Sequence, residues 1–282
     1  MVTETELRLD DGRILHVYDT GTGAGDRRPV VIWHHGTPNI GAPPAPLFGV
    51  SDRLGLRWVS YDRPGYGGST PAAGRTVGSA AGDVAQLADA LGLGQFSVMG
   101  HSGGGPHALA CAALLPGRVR AAVSVAGLAP YGAPGLDWFA GMAPTGVASL
   151  QAAAAGRPTK EAYEASEPPF DPEMFTPADH AALAGDWAWL MQVVEPAMQA
   201  GPAPLIDDDL AYVTPWGFDP GQLLCPVLLL HGEQDRVVPS AHSRWLARQL
   251  PRAALQLRPE DGHLSVLSSG PAALEWLVRA SA

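Results

Sequence analysis

Residues 96–106 read Phe-Ser-Val-Met-Gly-His-Ser-Gly-Gly-Gly-Pro. A short apolar run ends at Met99, a glycine-rich turn follows at once, and apolar residues then continue at helical spacing to Leu115. Strand, sharp turn and helix in this order form the context in which a G-x-S-x-G pentapeptide exposes its serine as a nucleophile. Glycine suits both ends of such a turn, because side chains there would collide with the strand or the helix. The stretch therefore predicts that Ser102 lies at the carboxyl edge of a sheet, just before a helix N-terminus.

The chain around this stretch alternates short apolar runs with helical patterns. Two alternating segments, 7–9 and 13–18, flank an Asp-Asp-Gly turn and predict an opening hairpin. The other predicted strands are residues 29–33, 57–61, 119–125, 226–231 and 254–257. Strands that alternate with helices indicate right-handed crossovers and a sheet covered on both faces. The expected fold class is therefore α/β, with a doubly wound and mostly parallel sheet.

This alternation stops between residues 129 and 222, where helix-like segments and several prolines replace the strands. The expected organisation is a sheet domain made of residues 1–128 and 223–282, interrupted by a helical segment of residues 129–222 that we call the insertion. The insertion contains 13 acidic and two basic residues, a net charge of −11, whereas the whole chain has −10. A solvated outer face is the simplest explanation of this charge.

Composition narrows the possible functions. Of the 282 residues, 46% are hydrophobic and 16% are charged, which is typical of a globular enzyme. No apolar run approaches the roughly 20 residues that span a bilayer, and the acidic N-terminus lacks the apolar region of a secretory signal. The net negative charge argues against nucleic acid or an anionic membrane as partner. With two cysteines and no metal-ligand spacing, we expect a cytoplasmic protein that acts on a small molecule without metal or cofactor; the oligomeric state stays open.

A serine hydroxyl becomes a nucleophile at neutral pH only when a base removes its proton and an acid orients that base. On a doubly wound sheet the partners follow later strands in the order Ser, Asp or Glu, His. Asp235 lies one short loop beyond the strand predicted at 226–231, with Glu233 as its nearest rival. Of nine histidines, only His263 combines a late loop, a flanking glycine and the correct order. Asp261 is expected to support that loop. The sequence thus predicts a catalytic triad of Ser102, Asp235 and His263.

Acyl transfer also requires two N–H donors directed at the developing oxyanion. The N–H of Gly103, directly after the serine, is one candidate. The second is the N–H of Thr37, which follows the strand predicted at 29–33. An ordinary strand-ending turn is the alternative reading of the segment around Thr37.

Five segments together resemble a known family: His35-Gly36-Thr37-Pro38, Asp62-Arg63-Pro64-Gly65-Tyr66-Gly67, Gly100-His101-Ser102-Gly103-Gly104, the Asp235 loop and the Asp-Gly-His263 loop. In this combination the chain resembles the α/β-hydrolase superfamily over nearly its whole length outside the insertion. The resemblance implies an eight-stranded sheet, with the insertion as a mobile helical cap over the site. Its serine nucleophile disfavours the Asp-dependent dehalogenases and epoxide hydrolases. Proline iminopeptidases, which place the cap similarly, usually have Trp where Gly103 stands here.

These observations favour a serine hydrolase that cleaves carboxylic esters of small-to-medium, largely apolar and uncharged substrates through an acyl-enzyme. Two alternatives stay open. One is an aminopeptidase or amidase of proline-iminopeptidase type, whose insertion would hold an α-ammonium group with Glu161, Glu164 or Glu195. The other is a non-catalytic ligand-binding homologue, since one fold hosts many functions.

The insertion is expected to contribute an apolar substrate pocket. It is too short to bury all of its large apolar side chains in a core of its own, so that some should lie against the sheet domain above Ser102. The predicted pocket residues are Trp138, Phe139, Met142, Trp187 and Met191.

Overall fold

The computed structural model describes residues 1–23, 25–199 and 201–281. Within these residues the strands are β1 (Thr3–Arg8), β2 (Ile14–Asp19), β3 (Val30–His34), β4 (Arg57–Tyr61), β5 (Phe96–His101), β6 (Val119–Val125), β7 (Val227–Gly232) and β8 (Ala253–Arg258). The α-helices are α1 (Phe48–Arg53), α2 (Ser79–Ala90), α3 (Gly104–Leu114), α4 (Pro144–Ala154), α5 (Arg157–Ala165), α6 (Pro177–Ala184), α7 (Trp189–Met198), α8 (Ala203–Val213), α9 (Ala241–Gln249) and α10 (Gly270–Ser281). None of these described helices is long and apolar enough to cross a membrane.

All eight strands form one sheet in the order β1-β2-β4-β3-β5-β6-β7-β8. The opening hairpin β1–β2 is antiparallel and β2 is antiparallel to β4, while every other neighbouring pair is parallel. The expected eight-stranded, mostly parallel sheet is confirmed. Because β3, β5, β7 and β8 run in the same direction, the loops that follow them meet at one edge of the sheet.

Each face of the sheet has its own apolar core. Helices α2, α3 and α9 cover one face, where they pack against residues such as Ile32 and Val98. Helices α1 and α10 cover the other face, against Trp33 and Met99. Since successive strand residues point to opposite faces, a strand covered on both sides has no polar alternation. This explains why β3 is an almost continuous apolar run in the sequence.

The insertion connects β6 to β7 through α4–α8, and its described residues form no strand. Helices α4, α5 and α8 pack against one another, whereas α6 lies near the loop that precedes α10. Lys160 on α5 is fully buried, and its ammonium pairs with Glu164 at 2.5 Å and with Asp209 of α8 at 2.7 Å. Part of the insertion's acidic charge is therefore internal, and the solvated-face explanation does not hold for these groups.

Candidate active site

The turn between β5 and α3 holds Ser102 in a strained backbone conformation. Its φ of +54° lies in the left-handed region, which non-glycine residues rarely adopt. A Cβ on Gly100 would overlap with the backbone of Gly104, and a Cβ on Gly104 would overlap with the carbonyl of His34. Both glycines are therefore required by close backbone approach, as the sequence motif indicates. The turn leaves Ser102 at the carboxyl edge of the sheet, directly before the N-terminus of α3.

The structure brings together the serine, histidine and aspartate that the sequence order selects. His263 follows β8, and its Nε2 lies 2.9 Å from the Oγ of Ser102. Its Nδ1 lies 2.7 Å from Oδ2 of Asp235, which follows β7. The other carboxylate oxygen of Asp235 accepts hydrogen bonds from the N–H groups of Val237 and Val238, both at 2.8 Å. The imidazole is thus held between an anchored carboxylate and the serine hydroxyl.

Asp235 is buried and remains ionised. Burial by itself raises the pKa of this carboxyl, but the neighbouring His263 and the hydrogen bonds from His231 and His263 outweigh it and hold the pKa below its ordinary value. His231 contacts the same carboxylate oxygen as His263, with its Nε2 3.2 Å from Oδ2. The rival acid, Glu233, instead pairs with Arg244 at the protein surface.

The two predicted oxyanion donors lie beside the serine. Thr37 follows β3, and both Thr37 and Gly103 line a cavity together with Ser102. The side-chain Oγ1 of Thr37 donates to Asp208 at 2.5 Å and lies 2.7 Å from the hydroxyl of Tyr212. A Cβ on Gly103 would overlap with both hydroxyls. The space that a tryptophan would need at position 103 is therefore occupied by Tyr212 of the insertion.

Asp208, on α8 of the insertion, is the centre of a buried ion cluster beneath Thr37. Its carboxylate accepts from Arg63 at 2.6 Å, from Arg75 at 2.6 Å and from the hydroxyl of Tyr66 at 3.0 Å. Burial raises the pKa of Asp208, but the two guanidinium groups outweigh it and hold that pKa well below its usual range. Both arginines belong to the sheet domain, so that the ion cluster joins the insertion to the loop that contains Thr37.

Asp179, on α6 of the insertion, makes a corresponding connection to the loop of His263. Its carboxylate accepts from the N–H groups of His263 at 3.2 Å, Leu264 at 2.8 Å and Ser265 at 2.7 Å. It also completes a capping box with Thr176 at the start of α6. Burial raises the pKa of Asp179, but these hydrogen bonds lower it below the ordinary value. A carboxylate of the insertion therefore fixes the backbone on both sides of His263.

Two cavities meet at Ser102. We call the first, of about 290 Å³, the polar chamber: most of its surface is apolar, but the residues that line it alone include the polar Ser149, Glu164, Asp209 and Tyr212, together with Gly103. We call the second, of about 590 Å³, the apolar chamber; residues that line it alone include Leu183, Leu190, Met191, Val194 and His263. Within the residues that the structure describes, no three His, Cys, Asp or Glu side chains cluster as metal ligands.

Only one of the five predicted pocket residues lines either chamber. Met191 borders the apolar chamber. Trp138, Phe139 and Met142 instead pack in one apolar cluster, where the rings of Trp138 and Phe139 meet edge to face at 5.1 Å. Trp187 is buried in the core beneath the sheet face that α10 covers. The prediction is thus corrected for the other four positions, because these large side chains pack between the insertion and the sheet domain and line neither chamber.

The acidic side chains considered for ammonium binding occupy three different environments. Glu161 is exposed and pairs with Arg157. Glu164 lines the polar chamber but is paired with Lys160. Glu195 lies on α7 and lines neither chamber.

Sequence reasoning missed the residues through which the insertion reaches the site. Thr176-Pro-Ala-Asp179 has capping-box spacing, so this pattern could have identified the start of α6 but not its contact with His263. Asp208 is the middle member of three consecutive aspartates, and nothing local distinguishes it from its neighbours. His231 stands four residues before Asp235, and its contact depends on the turn between them.

Comparison with known proteins agrees with this architecture. The sequence model of the alpha/beta hydrolase fold family matches residues 29–170. A protein named carbamate hydrolase RutD, from Caulobacter sp. (strain K31), is 31% identical over 217 residues, which cover 74% of each chain. A pimeloyl-[acyl-carrier protein] methyl ester esterase from Nitrosomonas europaea is 29% identical over 261 residues, covering 90% of this chain and 94% of the relative.

Solved structures share the fold at lower sequence similarity. The bromoperoxidase from Bacillus anthracis superimposes with a TM-score of 0.74 and 22% identity, covering 98% of this chain and 100% of that one. At this identity the likeness concerns the fold alone. The family match and the relative at 31% identity establish the wider relationship: this chain belongs to the α/β-hydrolase family.

Proposed function

We propose that this protein is a serine hydrolase that cleaves carboxylic esters through an acyl-enzyme. The observation that carries the proposal is the continuous hydrogen-bonded chain from Ser102 through His263 to Asp235, open to two cavities. A relative that covers 90% of this chain is named as a methyl ester esterase, and a second as a carbamate hydrolase. Both names concern carbonyl groups attacked by a nucleophile, which is the chemistry that this arrangement performs.

In the first half of the reaction, Ser102 Oγ attacks the ester carbonyl carbon while its proton passes to His263 Nε2. Negative charge develops on the carbonyl oxygen, which the N–H groups of Thr37 and Gly103 stabilise. The bond to the alcohol oxygen then breaks, and that oxygen takes the proton from Nε2. In the second half, water loses a proton to Nε2 and attacks the acyl carbon, and Ser102 recovers its proton as the acid leaves. Asp235 holds the imidazole and stabilises its protonated form throughout.

Neutral substrates suit the charges around the site. Both cations of the insertion are already paired, Arg157 with Asp207 and Lys160 with Glu164 and Asp209. The arginines below Thr37 are likewise paired with Asp208. An anionic substrate would lose its hydration without gaining a cation, which costs far more than burying a methylene group. We therefore propose a small, uncharged molecule as substrate, with neither nucleic acid nor a membrane as partner.

Amide cleavage is a second candidate, favoured by one observation. Glu164 and Asp209 line the polar chamber and could accept hydrogen bonds from the ammonium group of an aminoacyl substrate. Lys160 neutralises one of these two carboxylates, so that the remaining attraction is weaker than that of a free acidic pair.

The test is a panel of p-nitrophenyl esters of neutral acids set beside aminoacyl p-nitroanilides, with added chelator as a control for metal dependence. We expect hydrolysis of the esters by the wild type, an initial burst of p-nitrophenol, and loss of both in Ser102→Ala. Faster cleavage of the anilides would replace the ester proposal with the amide one. Wild-type turnover that Ser102→Ala retains would contradict both.

A further inference from the structure

The two chambers both reach Ser102 but differ in the other site residues that line them. His263 and Leu264 line only the apolar chamber, whereas Gly103 and Tyr212 line only the polar chamber. An ester whose carbonyl carbon lies at Ser102 must therefore extend its acyl part into one chamber and its alcohol part into the other. The sizes and linings of the chambers differ, so the direction of binding decides which substrates fit.

The proton fixes that direction. For the alcohol to leave, its oxygen must take the proton that His263 Nε2 received from Ser102, and this requires a hydrogen bond between the two atoms. The alcohol oxygen must therefore lie on the His263 side of the carbonyl carbon, and the acyl chain, which has no contact with Nε2 to make, extends toward the other chamber. We propose that the apolar chamber binds the alcohol part of the ester and the polar chamber binds the acyl part. This assignment rests on the proposed ester hydrolysis.

The apolar chamber suits a long apolar alcohol. Its volume of about 590 Å³ is twice that of the polar chamber, and the side chains of Leu183, Leu190, Met191 and Val194 form one of its walls. Burial of each additional methylene of the alcohol in such a chamber removes apolar surface from water and favours binding.

The polar chamber suits a compact acyl group that carries a hydrogen-bond donor at its far end. Lys160, fully buried behind this end, donates to Ser149, Glu164 and Asp209, so that two carboxylates share one ammonium group. Acceptor oxygens therefore exceed cationic donors at the end of the chamber. A hydrogen-bond donor at the far end of the acyl group can bind to these acceptors.

The substrate class that follows is an ester between a short acyl group ending in a donor such as a carboxamide or hydroxyl and a long, uncharged alcohol. An acyl group ending in a carboxylate is excluded by Glu164 and Asp209, because it would meet acceptors of its own charge. Charge and hydrogen bonding therefore also decide the direction of binding for a substrate whose acyl and alcohol parts are equal in size.

The first test compares two isomers, hexyl acetate and ethyl hexanoate, which differ only in the side of the ester that carries the long chain. We expect kcat/KM to be at least about tenfold higher for hexyl acetate, since its additional methylene groups are then buried in the larger, apolar chamber. Equal values, or a preference for ethyl hexanoate, would overturn the assignment. Hydrolysis of neither isomer by a protein that cleaves p-nitrophenyl esters would overturn the assignment alone, whereas failure with all of these esters would overturn the proposed function as well.

Two matched substitutions make this test specific to the chambers. Met191→Trp narrows the apolar chamber and Leu205→Trp narrows the polar one, and both wild-type side chains are at least partly exposed. We expect Met191→Trp to lower the hexyl acetate to ethyl hexanoate ratio of kcat/KM by at least about fivefold, and Leu205→Trp to raise it. Shifts of the opposite sign would contradict the assignment even if the wild-type preference were correct.

A second pair of substrates tests the donor at the acyl end. Ethyl succinamate and monoethyl succinate have the same shape but end in a carboxamide and a carboxylate. We expect the carboxamide to be preferred at least about tenfold at low salt, with a smaller gap at high salt and in Glu164→Gln. Equal rates for the two esters at low salt would show that the acidic end of the chamber does not contact the acyl group.

Discussion

Buried aspartates of the insertion hold both loops of the candidate site, the loop of His263 and the loop of Thr37, but they do so through different partners. On the base side, Asp179 holds the loop of His263 through backbone N–H groups and the hydroxyl of Ser265, which are neutral donors. On the oxyanion side, Asp208 holds the loop of Thr37 within a cluster that contains two buried arginines. Both carboxylates are fully buried and both belong to the insertion.

The difference lies in what remains when each carboxylate is removed. Without Asp179, a few N–H groups lose an acceptor, and the His263 loop can shift to satisfy them. Without Asp208, two guanidinium groups stay buried with no countercharge, which is far more costly. The base side is thus held by hydrogen bonds from neutral donors, whereas the oxyanion side depends on the charge balance of the buried ion cluster. The mobility expected for the insertion stays a prediction, and any movement must preserve these two connections or break the catalytic geometry with them.

The largest effect should follow from Asp235→Asn, which disrupts the base side directly. An asparagine can donate to Nδ1 and stabilise the wrong imidazole tautomer, so we expect kcat to fall by about 10⁴-fold with the fold intact. Glu233→Gln is the matched control, because Glu233 pairs with Arg244 at the surface and should tolerate the change. A loss of kcat of this size in Glu233→Gln, together with a mild loss in Asp235→Asn, would show that Glu233 is the acid that orients His263.

The oxyanion side is expected to fail through stability. In Asp208→Asn the two arginines lose their counterion, and we expect the free energy of unfolding to fall by about 3–5 kcal/mol. Asp207→Asn is the control, since Asp207 pairs with Arg157 on a partly exposed surface. Chemical denaturation measures both variants, and equal values for them would show that the ion cluster contributes little.

Thr37→Val tests whether the oxyanion side contributes to catalysis separately from its contribution to stability. The variant keeps the backbone N–H but loses the hydroxyl that donates to Asp208, so we expect kcat to fall about tenfold or more with little change in KM. Thr37→Ser should restore most of the loss. If both variants behave alike, the hydroxyl does not position the oxyanion donor.

Asp179→Asn should have a smaller effect on the base side. One oxygen of the carboxylate becomes an N–H₂ group that faces backbone N–H groups, so the loop of His263 loses acceptors and shifts. We expect about a tenfold loss of kcat with KM nearly unchanged, against no loss in Asp186→Asn, an exposed aspartate of the insertion. A rise in KM alone would indicate that Asp179 shapes a chamber and does not position the base.

The smallest effect expected per residue is a fall in the free energy of unfolding at acid pH, which buried histidines on both the base side and the oxyanion side cause. Burial lowers the pKa of His101, which contacts the backbone of His263, to about 3, and that of His35, beside Arg63, well below its ordinary value. The unfolded chain binds these protons near pH 6.5 while the folded protein does not, so stability must fall as pH drops below about 6.5. Each such histidine contributes a slope of about 1.4 kcal/mol per pH unit there.

Denaturation at pH 7.5 and pH 5.0 measures this slope, and His101→Gln, which retains a donor for the carbonyl of His263, should make it shallower. A free energy of unfolding that is equal at the two pH values would contradict the burial of neutral histidines.

The comparison also shows what the sequence can predict. The elbow around Ser102, the mostly parallel sheet implied by the alternation, and the positions of Asp235 and His263 depend on local motifs and on chain order, both visible in one sequence. The roles of Asp179 and Asp208 depend on contacts between residues 84 or more positions apart in the first case and 133 or more in the second. No local pattern encodes such contacts, so the support that the insertion gives to both loops was not predictable.

The pocket prediction failed for the same physical reason. Large apolar side chains such as Trp138 and Trp187 are equally suited to line a pocket and to fill a core, and only packing decides between these uses. The chambers are lined instead by other residues of the insertion, among them Phe170, Leu190 and Ser149, that composition does not distinguish from the rest of that segment.

Covalent labelling measures most directly whether His263 activates Ser102 as a covalent nucleophile. A fluorophosphonate reacts with an activated serine, and mass spectrometry of the intact protein and of its peptides counts and locates the adduct. We expect one adduct, on Ser102, in the wild type, none in Ser102→Ala, and labelling slowed by at least about 10³-fold in His263→Ala with the fold intact. Labelling at the wild-type rate in His263→Ala, or an adduct at another residue, would contradict this activation.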